Sequence, residues 1–255
     1  EMRREQEELE AKAALIREQL ANPESLKTLI INELKDDAKK YGDDRRSPIV
    51  HRAEATAMSE QDFMPADPVT VVLSEAGWVR SAKGHEVDAE NLNFRAGDQY
   101  LSHAQGKSNQ RVYVLDESGR SYALAINSLP SARGLGEPLS SKLSPASGVG
   151  FKQVFIADDE TEVVALSSKG YGFKTQAKQL DTNAKAGKAF LTLPEKATVM
   201  PLTSVDQATH LALLTSTGRL LILELSELPI LNKGKGNKLI QLEEKDQIVF
   251  MTRLT

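Results

Sequence analysis

Three observations predict a mainly β protein, a propeller-like ring of four-stranded hairpin blades preceded by a helical segment. Helical periodicity is confined to roughly the first 42 residues. After Pro68, four segments line up: "VTVVLSEAGWVRSAK" (69–83), "RVYVLDESGRSYALA" (111–125), "EVVALSSKGYGFKTQ" (162–176) and "HLALLTSTGRLLILE" (210–224). Each is an apolar β-branched run, a polar turn ending in glycine and a second run, and the glycines Gly77, Gly119, Gly170 and Gly218 recur at spacings of 42, 51 and 48. A repeat of that length with several short strands is the mark of a propeller blade, whose sheet buries its faces against its neighbours.

Taken in order, Met2, Leu9, Ala13, Ile16 and Leu20 fall on heptad a and d positions, so the first helix presents an apolar seam. Asn22 caps a second helix with Pro23 in its first turn; Leu26, Leu29, Ile30 and Leu34 line one face, and Gly42 is a stop. A seam of three heptads is marginal alone. We read residues 1–45 as the stump of a longer coiled coil plus a last helix, in preference to a hairpin folding onto its own domain. Residues 46–68, broken by Pro48, Pro65 and Pro68, read as linker, and 69–255 as almost entirely β, with four blade hairpins. In each hairpin the glycine supplies the positive φ of the turn. "FKQVFIA" (151–157) and "AFLTLP" (189–194) read as further strands. "DQIVFMTRLT" at the end either precedes a blade lying beyond Thr255 or completes the first blade.

Composition narrows the function. The chain has no cysteine, which rules out disulfides and thiolate metal sites, and its four histidines lack ligand spacing. It contains no long apolar run, and the sequence reads as soluble and intracellular. A formal charge of −4 argues against a uniformly basic nucleic-acid binder, so any such contact has to come from a local face.

Such a face is suggested by "LPSARGLGEPL" (129–139), "LDTNAKAGKAFLTL" (180–193) and "LPILNKGKGNKLIQL" (228–242), which follow three hairpins at similar offsets. The last lacks the spacing of a nucleotide phosphate loop. Recurrence instead places Arg133, Lys185, Lys188, Lys233, Lys235 and Lys238 on corresponding edges of successive blades, as a polyanion following a rim requires. Arg80, Lys83, Arg120, Lys169, Lys174 and Arg219, on or beside the hairpins, complete the candidate DNA-binding set. The bland alternative is that basic inter-blade loops only aid solubility. Against it, residues 169–188 hold five lysines and one acid, Asp181, while acids gather at Asp158–Glu162 and Glu243–Asp246.

The stretches "GDDRRSPI", "GWVRSAKGH", "QGKSNQ", "SGRSYAL", "LPSARGLGEPL", "GYGFKT", "AGKAFLTLPE" and "GKGNKLI", in this order, resemble the A-subunit (ParC) family of bacterial DNA topoisomerase IV. The resemblance spans essentially the whole chain. It implies a C-terminal β-pinwheel that binds and bends DNA, preceded by the last helices of the DNA-cleaving domain. It further implies an ATP-dependent type II topoisomerase that relaxes supercoils and decatenates chromosomes. The partners implied are double-stranded DNA, a second ParC copy through upstream domains, and the ATPase ParE in an A2B2 enzyme. ATP and Mg would belong to ParE and the upstream domain, with no cofactor in this chain. The location implied is cytoplasmic and nucleoid-associated, with peripheral association with the inner membrane as a further expectation. The family's cleaving tyrosine lies on an upstream domain, so no residue here is expected to be catalytic. The related DNA-cleaving subunit of gyrase carries a Q-R-R-G-G-K-G box after its first hairpin; here that place holds "GHEVDAENLNFRAGD" (84–98), with Glu86, Asp88, Glu90 and Asp98. That departure favours topoisomerase IV and bending without a gyrase-like wrap. A protein-interaction propeller is the rival from another class; 5% aromatic residues give it little to work with.

Overall fold

The computed structural model describes residues 2–43, 47 and 65–255, which divide into a unit within Glu1–Thr56 and a second within Ala57–Thr255. The expected linker, apart from residues 47 and 65–68, and most of "GDDRRSPI" lie outside the described residues. In the first unit, α1 (Met2–Ala21) and α2 (Pro23–Tyr41) form a helical pair. Asn22 caps α2, its side chain accepting from the Glu24 N–H, and Pro23 begins the helix. Gly42 ends it, but not through a left-handed cap: its φ is −69°. Glycine is needed for space, because a Cβ there would stand 2.2 Å from the Ala38 carbonyl oxygen. Met2, Leu9, Ile16 and Leu20 of the apolar seam are all exposed.

The second unit is built from hairpins. The strands β1 (Pro68–Ser74) and β2 (Trp78–Lys83), β4 (Arg111–Asp116) and β5 (Arg120–Ala125), β8 (Glu162–Leu166) and β9 (Tyr171–Gln176), and β12 (His210–Thr215) and β13 (Leu220–Glu224) pair antiparallel. They turn where the glycines predict: Gly77, Gly119, Gly170 and Gly218 have φ between +78° and +83°. A side-chain oxygen three residues before each glycine closes the turn. Ser74, Asp116, Ser167 and Thr215 accept from the N–H groups of Trp78, Arg120, Tyr171 and Arg219, at 2.9–3.3 Å.

Each hairpin gains a third strand from the chain that follows it. β3 (Tyr100–Lys107) pairs with β1, β7 (Phe151–Phe155) with β4, β11 (Thr203–Ser204) with β8 and β15 (Ile248–Leu254) with β12. The terminal strand therefore belongs to the fourth blade and does not complete the first. The fourth strand arrives from farther away. β6 (Glu137–Pro138), β10 (Lys188–Ala189) and β14 (Asn237–Lys238), each lying beyond the next hairpin, pair with β2, β5 and β9 of the preceding blade. The result is a β-pinwheel of four sheets, ordered β3-β1-β2-β6, β10-β5-β4-β7, β11-β8-β9-β14 and β13-β12-β15. Contacts between sheets run through β3 with β7 and β11 with β15, which puts the exchanged strands β6, β10 and β14 on the outer edge.

The β content is lower than expected. Of "AFLTLP" only Ala189 lies in a strand, since β10 ends there, and one-turn 3-10 helices at Ile126–Ser128, Ala177–Leu180 and Leu225–Glu227 follow the second strands of blades two to four. These connections remain buried by packing: Phe190 and Leu191 lie in the core beside Phe173. Three apolar clusters fill the junctions between consecutive blades. Val71, Leu73 and Val79 meet Val112, Val114 and Tyr122; Tyr113, Leu115 and Ala123 meet Val163, Ala165 and Phe173; Val164 and Leu166 meet Leu211, Leu213 and Leu223.

The turns and exchanged strands can be tested by two substitutions. At Gly236, φ is +76° and a Cβ would stand 2.0 Å from the Gly172 carbonyl oxygen, whereas at Gly134 nothing lies within 4 Å. Gly236→Ala is expected to destabilise the chain in urea unfolding by at least about 2 kcal/mol, with Gly134→Ala within about 0.5 kcal/mol of the parent. Equal effects would contradict the strand exchange. Asp246 is buried, which alone would raise its pKa, but the hydroxyls of Ser216 and Thr217 and the N–H groups of Gln247 and Thr217 hold it below the ordinary value. A lowered folded pKa means that its stabilisation is complete above the ordinary carboxylate range and is lost as pH falls through the lowered value. Asp246→Asn should flatten the acid limb of a stability-versus-pH curve.

Candidate nucleic-acid interface

Sheet register makes the three exchanged segments equivalent. Glu137 faces Val79, Lys188 faces Ser121 and Asn237 faces Gly172, the same position of three blades. Before each stands a glycine in the left-handed region: Gly136, Gly187 and Gly236, with φ of 93°, 69° and 76°. A Cβ at these places would strike the Val79 carbonyl, the Tyr122 ring or the Gly172 carbonyl, so glycine lets the segment press against the hairpin. The residues just before these glycines form a tip at the outer edge. Arg133, Lys185, Lys233 and Lys235 lie on these tips, and Lys238 follows on β14; all five are exposed.

The structure thus brings part of the expected set to one kind of place. Arg133, Lys185, Lys233 and Lys238 have no ion pair or side-chain hydrogen bond among the described residues. Lys83 is similar and lines a shallow cavity with Arg133, Ser81 and Ser131 on the first blade. Lys235 is steered by an aromatic ring, its ammonium lying 3.9 Å from the centre of Tyr171.

The remaining predicted cations are engaged in holding the fold. Arg120 donates from Nε to the Ala186 carbonyl at 3.0 Å and from Nη2 to that of Gly187 at 2.9 Å, fixing the exchanged segment on its own hairpin. Lys188 donates to the Gln179 carbonyl at 2.6 Å, Lys169 to those of Glu244 and Asp246 at 2.9 Å each, and Arg219 to that of Gln241 at 2.6 Å. Lys174 is 16% exposed and pairs with Glu162 at 3.3 Å. Arg80 is 4% exposed and donates to the Gly134 carbonyl at 3.1 Å, and burial pushes its pKa down. Sequence spacing detects a recurring cation but not whether a carbonyl lies within its reach.

One regularity could have been read in advance. The residue after the hairpin glycine is aromatic in blades one and three, Trp78 and Tyr171, and arginine in blades two and four, Arg120 and Arg219. Each aromatic receives a cation, Arg95 or Lys235, and each arginine receives carbonyls. The acidic turns are also used internally: Glu160 pairs with Lys178 at 2.8 Å, and Asp158 accepts from Gln110 at 2.6 Å. Among the described residues no three histidine or carboxylate side chains are grouped to hold a metal ion. Burial pushes the phenols of Tyr113 and Tyr122 up to about 12, and Tyr122 donates to Asp116 at 2.8 Å, so both are poor nucleophiles at neutral pH.

The two groups of lysines should separate experimentally. Lys174→Ala strips a mostly buried stem from the core and should cost about 1 kcal/mol of stability. Lys185→Ala should stay within about 0.5 kcal/mol of the parent in the same urea titration. Equal losses at both sites would contradict this division.

Comparison with known proteins gives concordant findings. The family model "DNA gyrase C-terminal domain, beta-propeller" matches residues 161–206 and 209–255. The chain is 50% identical over 242 residues to the A subunit of DNA topoisomerase 4 from Pseudomonas aeruginosa, covering 94% of this chain and 32% of that protein. It is 46% identical over 258 residues to the Haemophilus influenzae protein of the same name, covering 100% and 34%. The chain spans about a third of the length of these relatives. Among solved structures it resembles the E. coli ParC C-terminal domain with a TM-score of 0.69 and 43% identity, over 74% of this chain and 80% of that one.

Proposed function

The chain belongs to the ParC family, the A subunits of DNA topoisomerase IV, and to the part that holds the C-terminal domain, and from that premise we propose that its outer blade edge binds double-stranded DNA. One observation carries the reading. Three successive blades present a tip at the same register position, and on each tip stands at least one exposed cation without a carboxylate partner among the described residues: Arg133, Lys185 and Lys233. A single small anion would need one convergent pocket. Cations repeated along an edge suit a rod of regularly spaced phosphates, each contact releasing a counterion.

In this reading the chain's residues do three kinds of work. The free cations contact phosphates and set the position of the duplex without reading its bases. Arg120, Lys169, Lys188 and Arg219, occupied by carbonyls, keep the segments that bear the tips in place. The glycines allow those segments to lie close to the hairpins. A duplex following the edge is bent, and the domain presents it to the rest of a type II topoisomerase that relaxes supercoils and decatenates chromosomes. The enzyme would be an A2B2 assembly with the ATPase ParE, which with the upstream cleavage domain supplies ATP, Mg and the cleaving residue. Helices α1 and α2 would continue into that upstream domain, giving the exposed seam of α1 a partner.

The test is DNA affinity of the chain at several salt concentrations. Lys185→Ala, Lys233→Ala and Lys238→Ala combined should weaken binding to unrelated duplex sequences alike. The slope of log affinity against log salt should flatten by about 0.9 for each phosphate that is no longer neutralised. A folded triple variant with unchanged affinity and slope would overturn the proposal.

A further inference from the structure

Position 113 departs from the repeat. At the matching place in the hairpins of the first, third and fourth blades stand Val71, Val164 and Ala212, all apolar and all buried. The second blade carries Tyr113, which is 3% exposed and packs its ring in the core with Val163 and Phe173. An aliphatic side chain would fill this place without a polar group to satisfy. The phenol feels the charges of Asp159, Asp181 and Arg111, which line a cavity of about 440 Å³ between the second and third blades, so the hydroxyl points into that cavity. It makes no hydrogen bond among the described residues.

The wall of the cavity is rich in acceptors and poor in donors. Asn109 Oδ1 is buried and has no partner. Asp158 uses one oxygen to accept from Gln110 at 2.6 Å. The Asp159 carboxylate makes no hydrogen bond or ion pair among the described residues. The guanidinium on the wall is already engaged: Arg111 pairs with Asp181 at 3.1 Å and donates to Asn183 Oδ1 at 3.2 Å, to the Thr182 carbonyl at 3.3 Å and to the Ala123 carbonyl at 3.4 Å. Asp181 thus balances Arg111, while Asp158 and Asp159 leave the wall negative. Burial, and then the charges of Asp159 and Asp181, push the Tyr113 phenol up to about 12. It keeps its proton at neutral pH, and its oxygen still offers lone pairs.

A buried acceptor left without a donor is costly, and ligand pockets span roughly 300–1,000 Å³, a range that includes this cavity. Among the described residues no three carboxylate or histidine side chains are grouped to hold a metal ion. The N–H donors of an organic cation, spread over several atoms, can reach acceptors that a single ion cannot. We propose that this cavity binds a small organic cation carrying ammonium or guanidinium groups, whose N–H groups donate to Asn109, Tyr113 and Asp159. The inference is independent of the DNA reading, since none of the exposed cations of the blade edge enters it.

The test is titration calorimetry of the 255-residue chain at fixed ionic strength, with agmatine as the probe because it carries an ammonium at one end and a guanidinium at the other. One saturable site is expected, with a Kd below about 1 mM. Tyr113→Phe, which removes only the hydroxyl, should weaken binding by about threefold to tenfold, and Asp159→Asn by about tenfold or more. Without agmatine, Tyr113→Phe should unfold at the urea midpoint of the parent, because the hydroxyl has no partner in the protein to lose. Magnesium chloride at the same ionic strength should not displace the probe. The absence of saturable heat, unchanged binding in either variant, or displacement by magnesium would overturn the proposal. A clearly lower urea midpoint for Tyr113→Phe would do the same, since the hydroxyl would then serve the fold.

Discussion

The exchange of the fourth strand is the constraint on which the pinwheel depends. β2, β5 and β9 each complete their sheets with residues that lie beyond the next hairpin, so none of these three blades can be finished until its successor exists. Neighbouring blades are therefore joined by backbone hydrogen bonds as well as by apolar contact. The cost is a set of long-range pairings that must form across loops, a topology expected to fold slowly. It also explains the fixed glycines. A two-residue strand against a packed hairpin leaves no room for a side chain at Gly136, Gly187 or Gly236.

That exchange also decides where charge can act. The exchanged segments lie outside the hairpins, and the side chains of Arg133, Lys185 and Lys233 at their tips are exposed. A cation there, such as Lys185 or Lys233, keeps its hydration and its freedom. Arg120, one strand inward, is bound by the Ala186 and Gly187 carbonyls just before β10, and Lys188, on β10 itself, by the Gln179 carbonyl of the 3-10 helix. The same residue types thus divide into structural clamps and free surface charge by a few ångströms of position.

The face of the first blade that bears Thr70, Val72 and Arg80 is buried, with Phe94 against Arg80 and Arg95 against Trp78. Segment 84–98, where the resemblance puts the basic box of gyrase, packs on the first blade here.

Much of this was legible in the sequence because it rests on local rules. The four turns are fixed by glycine's access to positive φ, the strands by the apolar runs at 69–73 and 162–166, and the helix pair by the capping Asn22 and Pro23. The recurrence of "ARG", "NAKAGK" and "NKGKGNK" was visible in the same way. What sequence could not decide was which carbonyl each cation would reach, because those acceptors lie far along the chain: 66 residues separate Arg120 from Ala186, and 77 separate Lys169 from Asp246. Nor could it show that Arg80 would be buried under Phe94, or that "DQIVFMTRLT" would pair with β12. Those outcomes depend on which edge of which sheet is free when the chain returns, and only the assembled blades set that.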